Sequence, residues 1–374
     1  MSFFQNHSGW PLVPLKNVAT LKRGYDLPVG ARNEGAVPIY AANGKNGAHD
    51  EVKIKGPGVI TGRSGTIGKV HYCEEDFWPL NTALYVTDFH GNHPRWVYYM
   101  LSSFKLERFS EGAGVPTLNR NLVHDELIPL PPLPEQKRIA AILDKADAIR
   151  RKRQQAIQLA DDFLRAVFLD MFGDPVTNPK GWEVRPLSDL VSKLGDGLHG
   201  TPEYDESGDY YFINGNNLDS GRIVFNGRVK RVGDEEFRRH KKELTKDTML
   251  VSINGTIGKV AFYQGEKVVL GKSVCYFNVI PERISSMYLY HLIGSHYFLR
   301  YTSGIETGST IKNVSLKSMR ELPIPLPSAE LQGGFESLVK RIESKKARLF
   351  AGHNSAGALF NTCLLYTSLS GLAR

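Results

Sequence analysis

The chain has 374 residues, 41% hydrophobic, 10% aromatic and 23% charged, which excludes one small domain, wholesale disorder and a fibrous repeat. Its 47 Lys and Arg against 39 Asp and Glu give a net +8, a balance that favours an anionic partner. No apolar stretch approaches the roughly 20 residues of a membrane span. The start lacks a signal-peptide pattern, and Cys73, Cys275 and Cys363 show neither zinc spacing nor a disulfide framework, so a reducing cytoplasm away from membranes is expected.

Read along the chain, the sequence repeats. Gly9-Trp10-Pro11-Leu12-Val13-Pro14-Leu15 answers Gly181-Trp182-Glu183-Val184-Arg185-Pro186-Leu187. Ser64 precedes GTIGKV in the first half and Asn254 precedes it in the second. Ile128-Pro129-Leu130-Pro131 recurs as Ile324-Pro325-Leu326-Pro327. Three anchors in the same order mark a duplicated domain with modest insertions in the second copy, since solenoid repeats are far shorter.

Each half predicts short strands first, at Val59-Ile60 and Leu84 to Val86 in one copy and at Met249 to Val251 and Val274 to Val279 in the other. A helical segment follows, over 96–109 and 287–301. The proline block then forbids helix until Pro134, where a helix can begin.

From Glu135 to Phe172 there is no Pro or Gly. Ile139, Ile142, Ala146, Ile149, Arg153, Ala156, Ala160, Phe163 and Val167 step by alternating three and four, a heptad seam. Such a helix spans roughly 57 Å. Leu331, Phe335, Leu338, Ile342, Lys345, Leu349 and Gly352 continue the same alternation in the second copy, with glycines that weaken it. The two seams can pair as an intramolecular coiled coil or receive a partner chain, and these readings are compatible. The expected architecture is α+β, with recognition domains over 1–130 and 175–325 and proline-led long helices over 131–174 and 326–374, paired antiparallel.

The run Pro131-Pro132-Leu133-Pro134-Glu135-Gln136-Lys137-Arg138-Ile139-Ala140 and the phrase Gly195-Asp196-Gly197-Leu198-His199-Gly200-Thr201-Pro202 resemble the specificity subunits of type I restriction-modification systems. With Trp10, Trp182, both GTIGKV turns and both proline blocks, the likeness covers nearly the whole chain, although Pro325 to Gln332 keeps only part of the pattern. The resemblance implies a non-catalytic subunit that reads a bipartite, asymmetric site in double-stranded DNA, one half-site per recognition domain, with the long helices as a ruler. It implies docking to two adenine methyltransferase subunits and to restriction subunits. S-adenosylmethionine, ATP and magnesium would belong to those partners, and no cofactor to this chain. A ruler of roughly 57 Å accommodates half-sites that recur about every 34 to 36 Å on one face of B-DNA.

The residues themselves yield no catalytic or metal constellation. Three glycine-lysine stretches fail the phosphate-loop spacing, and no Asn-Pro-Pro-aromatic or Asp-Pro-Pro-aromatic tetrapeptide occurs. A stand-alone DNA-modifying enzyme would need one of these, and a coiled-coil scaffold that binds no DNA is disfavoured by the basic balance.

For DNA contact, the GTIGKV turns offer Arg63, Ser64, Thr66, Lys69, Asn254, Thr256 and Lys259 to phosphates, and they are equally simple tight turns. Asn43, Lys45, Asn46, Asn214, Asn216 and Asn217 sit in Asn-Gly loops that suit either a turn or an adenine edge. Arg228, Lys230, Arg231, Arg238 and Arg239 lie in a basic stretch that is a solvated face or a phosphate contact. His199 and Thr201 read as structural or as DNA contacts. The seam residue Arg153 requires an acid such as Asp161 or Glu343, a partner's carboxylate, spacer phosphates or solvent.

Overall fold

The computed structural model describes residues 9–112, 114–304 and 313–369, with side chains to residue 349. The chain divides into two compact units, Met1–Ala156 with Arg348–Arg374, and Ile157–Ala347. The division falls inside each long helix, so each unit combines one recognition domain with part of both helices.

In the first unit, β1 (Leu12–Pro14) pairs antiparallel with β9 (Leu127–Pro129), Leu12 opposite Pro129. The Trp-Pro-Leu segment and the proline block are therefore one ladder, short enough to tolerate prolines that donate no hydrogen bond. Four strands, β2 (Thr20–Arg23), β5 (Gly58–Gly62), β6 (Val70–Cys73) and β8 (Ala83–Asp88), make an antiparallel sheet of order β2-β8-β5-β6. A second sheet has the order β4-β3-β7, from β3 (Val37–Ala41), β4 (Gly44–His49) and β7 (Trp78–Pro79), with β3 and β7 parallel.

Strands β5 and β8 are apolar on both faces because both faces are covered. Val59, Leu84 and Val86 join the core with Trp96, Val97 and Met100 of α1 (Pro94–Ser103), whereas Ile60, Ala83 and Tyr85 join a second cluster with Phe77. Side chains that alternate along a strand feed two cores at once. Ile139, Ala140 and Leu143 of α2 (Leu133–Phe172) complete the first core.

The second unit repeats this plan. β10 (Glu183–Pro186) pairs with β18 (Pro323–Leu326). β11 (Val191–Asp196), β14 (Thr248–Ser252), β15 (Val260–Phe262) and β17 (Val274–Val279) give the order β11-β17-β14-β15. β12 (Tyr210–Ile213), β13 (Arg231–Val232) and β16 (Val268–Leu270) give β13-β12-β16, with β12 and β16 parallel.

The single helix expected over 287–301 is two, α4 (Ser286–Ile293) and α5 (His296–Ser303), because Gly294 ends the first and the Ser295 hydroxyl caps the second by accepting from the Tyr297 amide. Its counterpart over 96–109 stops at Ser103 and continues as one tight turn, Leu106–Phe109. A short helix, α3 (Asp234–His240), with three acids in its first turn and Arg238, Arg239 and His240 in its last, belongs to the second unit alone among the described residues.

Gln136 and Gln332 explain why each proline block leads into a helix. Gln136 is buried near the start of α2, accepts from the His93 amide before α1 and donates to the Asn92 side chain and the Pro131 carbonyl. Gln332, near the start of α6 (Ala329–Leu369), accepts from the Ser285 amide before α4 and donates to the Pro327 carbonyl. The partial second motif keeps the residue that does this.

Within the second unit α2 and α6 run antiparallel. Phe335 meets Phe168 and Phe172 edge to face, and farther along α6 Lys346 reaches back to Asp161, earlier on α2, at 2.5 Å. The seam register needs correction. Ile142, Ile149 and Phe163 are exposed at 36%, 47% and 51%, while Leu143, Ile157, Leu164, Phe168 and Phe172 are buried. Ile139 and Phe335 are buried as expected, and Val339 is buried in place of half-buried Leu338.

The true stripe on α2 lies one residue later and passes through polar Asp147 and Arg150, which hid it from a count of apolar positions. Ala146, Arg153, Ala156, Leu331, Ile342 and Leu349 are half-buried. Asp161 and Glu343, two of the acids considered for Arg153, both bind Lys346. The second seam from Gly352 onward lies outside the described side chains.

Candidate nucleic-acid interface

In each unit three loops converge at the ends of the two sheets. In the first, the β3–β4 turn at Ala42-Asn43, the GTIGKV turn between β5 and β6, and the β7–β8 connection at Asn81-Thr82 are locked together. Arg63 and Ser64 amides donate to the Thr82 carbonyl at 2.8 and 3.1 Å, and the Arg63 guanidinium donates to the Asn81 carbonyl at 3.2 Å. A methyl group on Gly62 would meet the Thr66 carbonyl oxygen at 1.7 Å and that of Ala42 at 3.1 Å, so glycine is required where the loops cross.

Gly65 and Gly68 have φ of +83° and +90°, the left-handed turn that the repeated motif encodes. Asn43, Lys45, Gly65 and Lys69 are exposed on this cluster, with Ser64 and Thr66 half-buried beside them. Asn46 is farther along β4, where its side-chain oxygen accepts from Arg32. His71 was not foreseen. Its ring packs under Gly44, its Nε2 is buried without a partner, and burial followed by the Lys69 charge lowers its pKa.

The second unit builds the same junction. The Gly215 amide donates to the Ser273 hydroxyl at 2.9 Å, which donates to the Asn214 side-chain oxygen at 3.0 Å. The Ile253 amide donates to the Ser273 carbonyl, as Arg63 does to Thr82, and the Gly258 amide closes the GTIGKV turn on the Ser252 carbonyl. Asn216, Gly255, Thr256 and Lys272 are exposed, with Asn254 and Lys259 half-buried.

Asn217 is not available to a ligand: it is 6% exposed, accepts from the Asn214 amide and donates to the Val224 carbonyl. Asn214 likewise holds the loop. Exposed His199 pairs with Asp196 at 2.6 Å, and Thr201 is exposed beyond it. The Leu198 amide donates to the Leu270 carbonyl, which brings that loop beside Lys272.

Sequence reasoning missed the third loop, Asn81-Thr82 and Lys272-Ser273. Its signal was the strand pair on either side, which sets the loop against GTIGKV.

In the basic stretch, Arg228, Lys230, Arg231 and Arg238 are exposed, and Arg239 is held by Glu235 and Glu236 at 2.8 Å. Among the described residues no group of three or more His, Cys, Asp or Glu side chains is placed to hold a metal, and no helix is long and apolar enough to cross a membrane.

The twice-built junction has a match. A family model described as the type I restriction modification DNA specificity domain fits residues 7–159 and again 179–346. The chain belongs to that family.

Family relatives cover it broadly. The EcoBI specificity subunit of Escherichia coli is 20% identical, over 96% of this chain and 83% of its own. The MjaVIII specificity subunit of Methanocaldococcus jannaschii is 24% identical over 66% of this chain, which spans 63% of that relative's length. The solved specificity subunit from M. genitalium shares the fold, with a TM-score of 0.63 at 16% identity and 99% and 98% coverage. A second structure, from work on type I complex assembly and conformational transition, gives 0.54 at 14% identity over 98% and 99% of the two chains.

Proposed function

We propose that this chain is the DNA-reading subunit of a type I restriction-modification complex, each unit reading one half of a bipartite, asymmetric site in double-stranded DNA. The observation that carries this is the junction built twice: three polar loops on a buried two-sheet support, with asparagine and lysine exposed at the tip in both units and Thr256 exposed in the second. Rigid strands hold the loops, so side chains on them meet a base edge without a large ordering cost. Phosphate contacts from Lys69 and Lys272 position the duplex, while Asn43, Asn216 and Thr256 offer hydrogen bonds to base edges.

The long helices set the separation of the half-sites and dock two adenine methyltransferase subunits and the restriction subunits. Ile142 and Ile149 on the first unit's part of α2, exposed and apolar, suit that docking. Chemistry belongs to those partners, together with S-adenosylmethionine, ATP and magnesium.

Long-read methylation mapping tests this reading in cells with the methyltransferase partner, with and without this chain. A bipartite adenine motif that disappears with the chain is the expected result. An unchanged methylome would contradict it and favour a scaffold that binds no DNA.

A further inference from the structure

The stretch from residue 213 to residue 254 in the second unit is longer than its counterpart from 40 to 64, and the added chain carries Phe225, Arg228, Lys230 and Arg231. It leaves the loop cluster directly: the Val224 amide donates to the Asn217 carbonyl at 2.7 Å, and the Phe225 ring packs on Tyr211 with centroids 4.4 Å apart. Phe225 and Tyr204 remain 39% and 45% exposed.

Cations lie along these rings. The Arg231 guanidinium sits 4.8 Å from the Tyr211 ring centre and donates to its hydroxyl at 2.8 Å, and Lys230 lies 6.0 Å from Tyr204. Arg228 is exposed beside them. Of the four acids between Arg228 and Lys246, Glu235 and Glu236 bind Arg239, Glu243 binds Lys193, and Asp234 lies against the Tyr210 hydroxyl. Among the described residues no carboxylate pairs with Arg228, Lys230 or Arg231. Positive charge held by aromatic rings, in place of acids, is a field left open to an external anion.

We propose that Arg228, Lys230 and Arg231, braced by Tyr204, Tyr211 and Phe225, form a grip for the DNA sugar-phosphate backbone beside the second half-site, so that the second unit supplies the larger salt-dependent share of binding. The charge is matched by phosphates, and the exposed ring edges suit the apolar faces of deoxyribose. The grip carries no sequence information, because phosphates are the same at every base pair.

This proposal rests on the DNA-reading function. The test is duplex binding by the full chain as a function of salt, compared with the triple variant Arg228→Ala, Lys230→Ala, Arg231→Ala. Each lost phosphate contact lowers the slope of log affinity against log salt by about 0.9, so the variant should lose roughly 2 to 3 units of slope. Affinity should fall at least about tenfold at near-physiological salt, equally for sites that differ in either half.

The pair Arg228→Lys, Arg231→Lys keeps the charge and should retain most of the slope. Melting curves that match the parent exclude a folding cause. A triple variant with the parent's slope overturns the grip alone. A parent chain that binds no duplex at any salt overturns the DNA reading and the grip together.

Discussion

The two units share their loop junction and differ in how the long helices seat against them. In the first, Tyr99 of α1 donates to Asp144 of α2 at 2.6 Å, and the same oxygen takes the Arg95 guanidinium at 2.6 Å. In the second, His291 stands in the place of Tyr99, six residues beyond the amide that the motif glutamine binds. It is enclosed by Phe168, Tyr290 and Phe335, and its Nε2 is buried without a partner. One framework thus accepts a hydrogen-bonded charged contact in one copy and an aromatic one in the other. Duplication fixes the backbone, and each copy fills the helix seat by its own chemistry.

The largest effect that breaks the comparison is expected at Phe335. Phe335→Ala removes the ring that joins α6 to Phe168 and Phe172, and should cost about 3 to 5 kcal/mol in the second unit. Urea unfolding followed by a probe in each unit would show the loss in the second before the first. Ile142→Asp makes the opposite case: at an exposed position it should leave stability within about 0.5 kcal/mol and instead weaken assembly with methyltransferase subunits, read by size-exclusion chromatography.

A pH series sharpens the comparison further. Burial, followed by the Lys346 charge, lowers the His291 pKa to about 4, against an ordinary 6.5. The folded state therefore binds fewer protons than the unfolded one between those values. The second unit loses stability as pH falls through about 6.5 toward 4, by up to roughly 3 kcal/mol, and gains nothing further above 6.5. His291→Phe should flatten that part of the melting-temperature profile.

Gln136→Ala and Gln332→Ala each strip a part-buried amide of its acceptor. Each should cost about 1 to 3 kcal/mol, by similar amounts in the two units if the motif does the same work in both. The smallest effect is a gain. Gly333 and Gly334 lie inside α6 with open space where a methyl group would go, so alanine at either should stabilise by roughly 0.5 to 1 kcal/mol in thermal melts.

Much of this architecture is legible in the sequence because it is written twice. Trp-x-x-x-Pro-Leu and Ile-Pro-Leu-Pro are the two sides of one ladder, and GTIGKV needs its positive-φ glycines, so both motifs persist where the rest diverges.

The helix register was misread for a physical reason. Ile142 and Ile149 make an apolar stripe as regular as the buried one, and only packing distinguishes them, since Asp147 and Arg150 interrupt the buried stripe with charge. Of the candidate interface, the GTIGKV and Asn-Gly loops were visible as turns. The roles of Asn214 and Asn217 as loop braces were not, because an asparagine that binds a base and one that caps its own loop have the same local sequence.

The central claim is that each unit reads its own half-site. The most direct measurement exchanges residues 181–325 for the equivalent domain of a relative with a different specificity, followed by methylation mapping. The account predicts that one half of the bipartite motif changes while the other half and the spacer length stay as they were. A change in both halves together would contradict it.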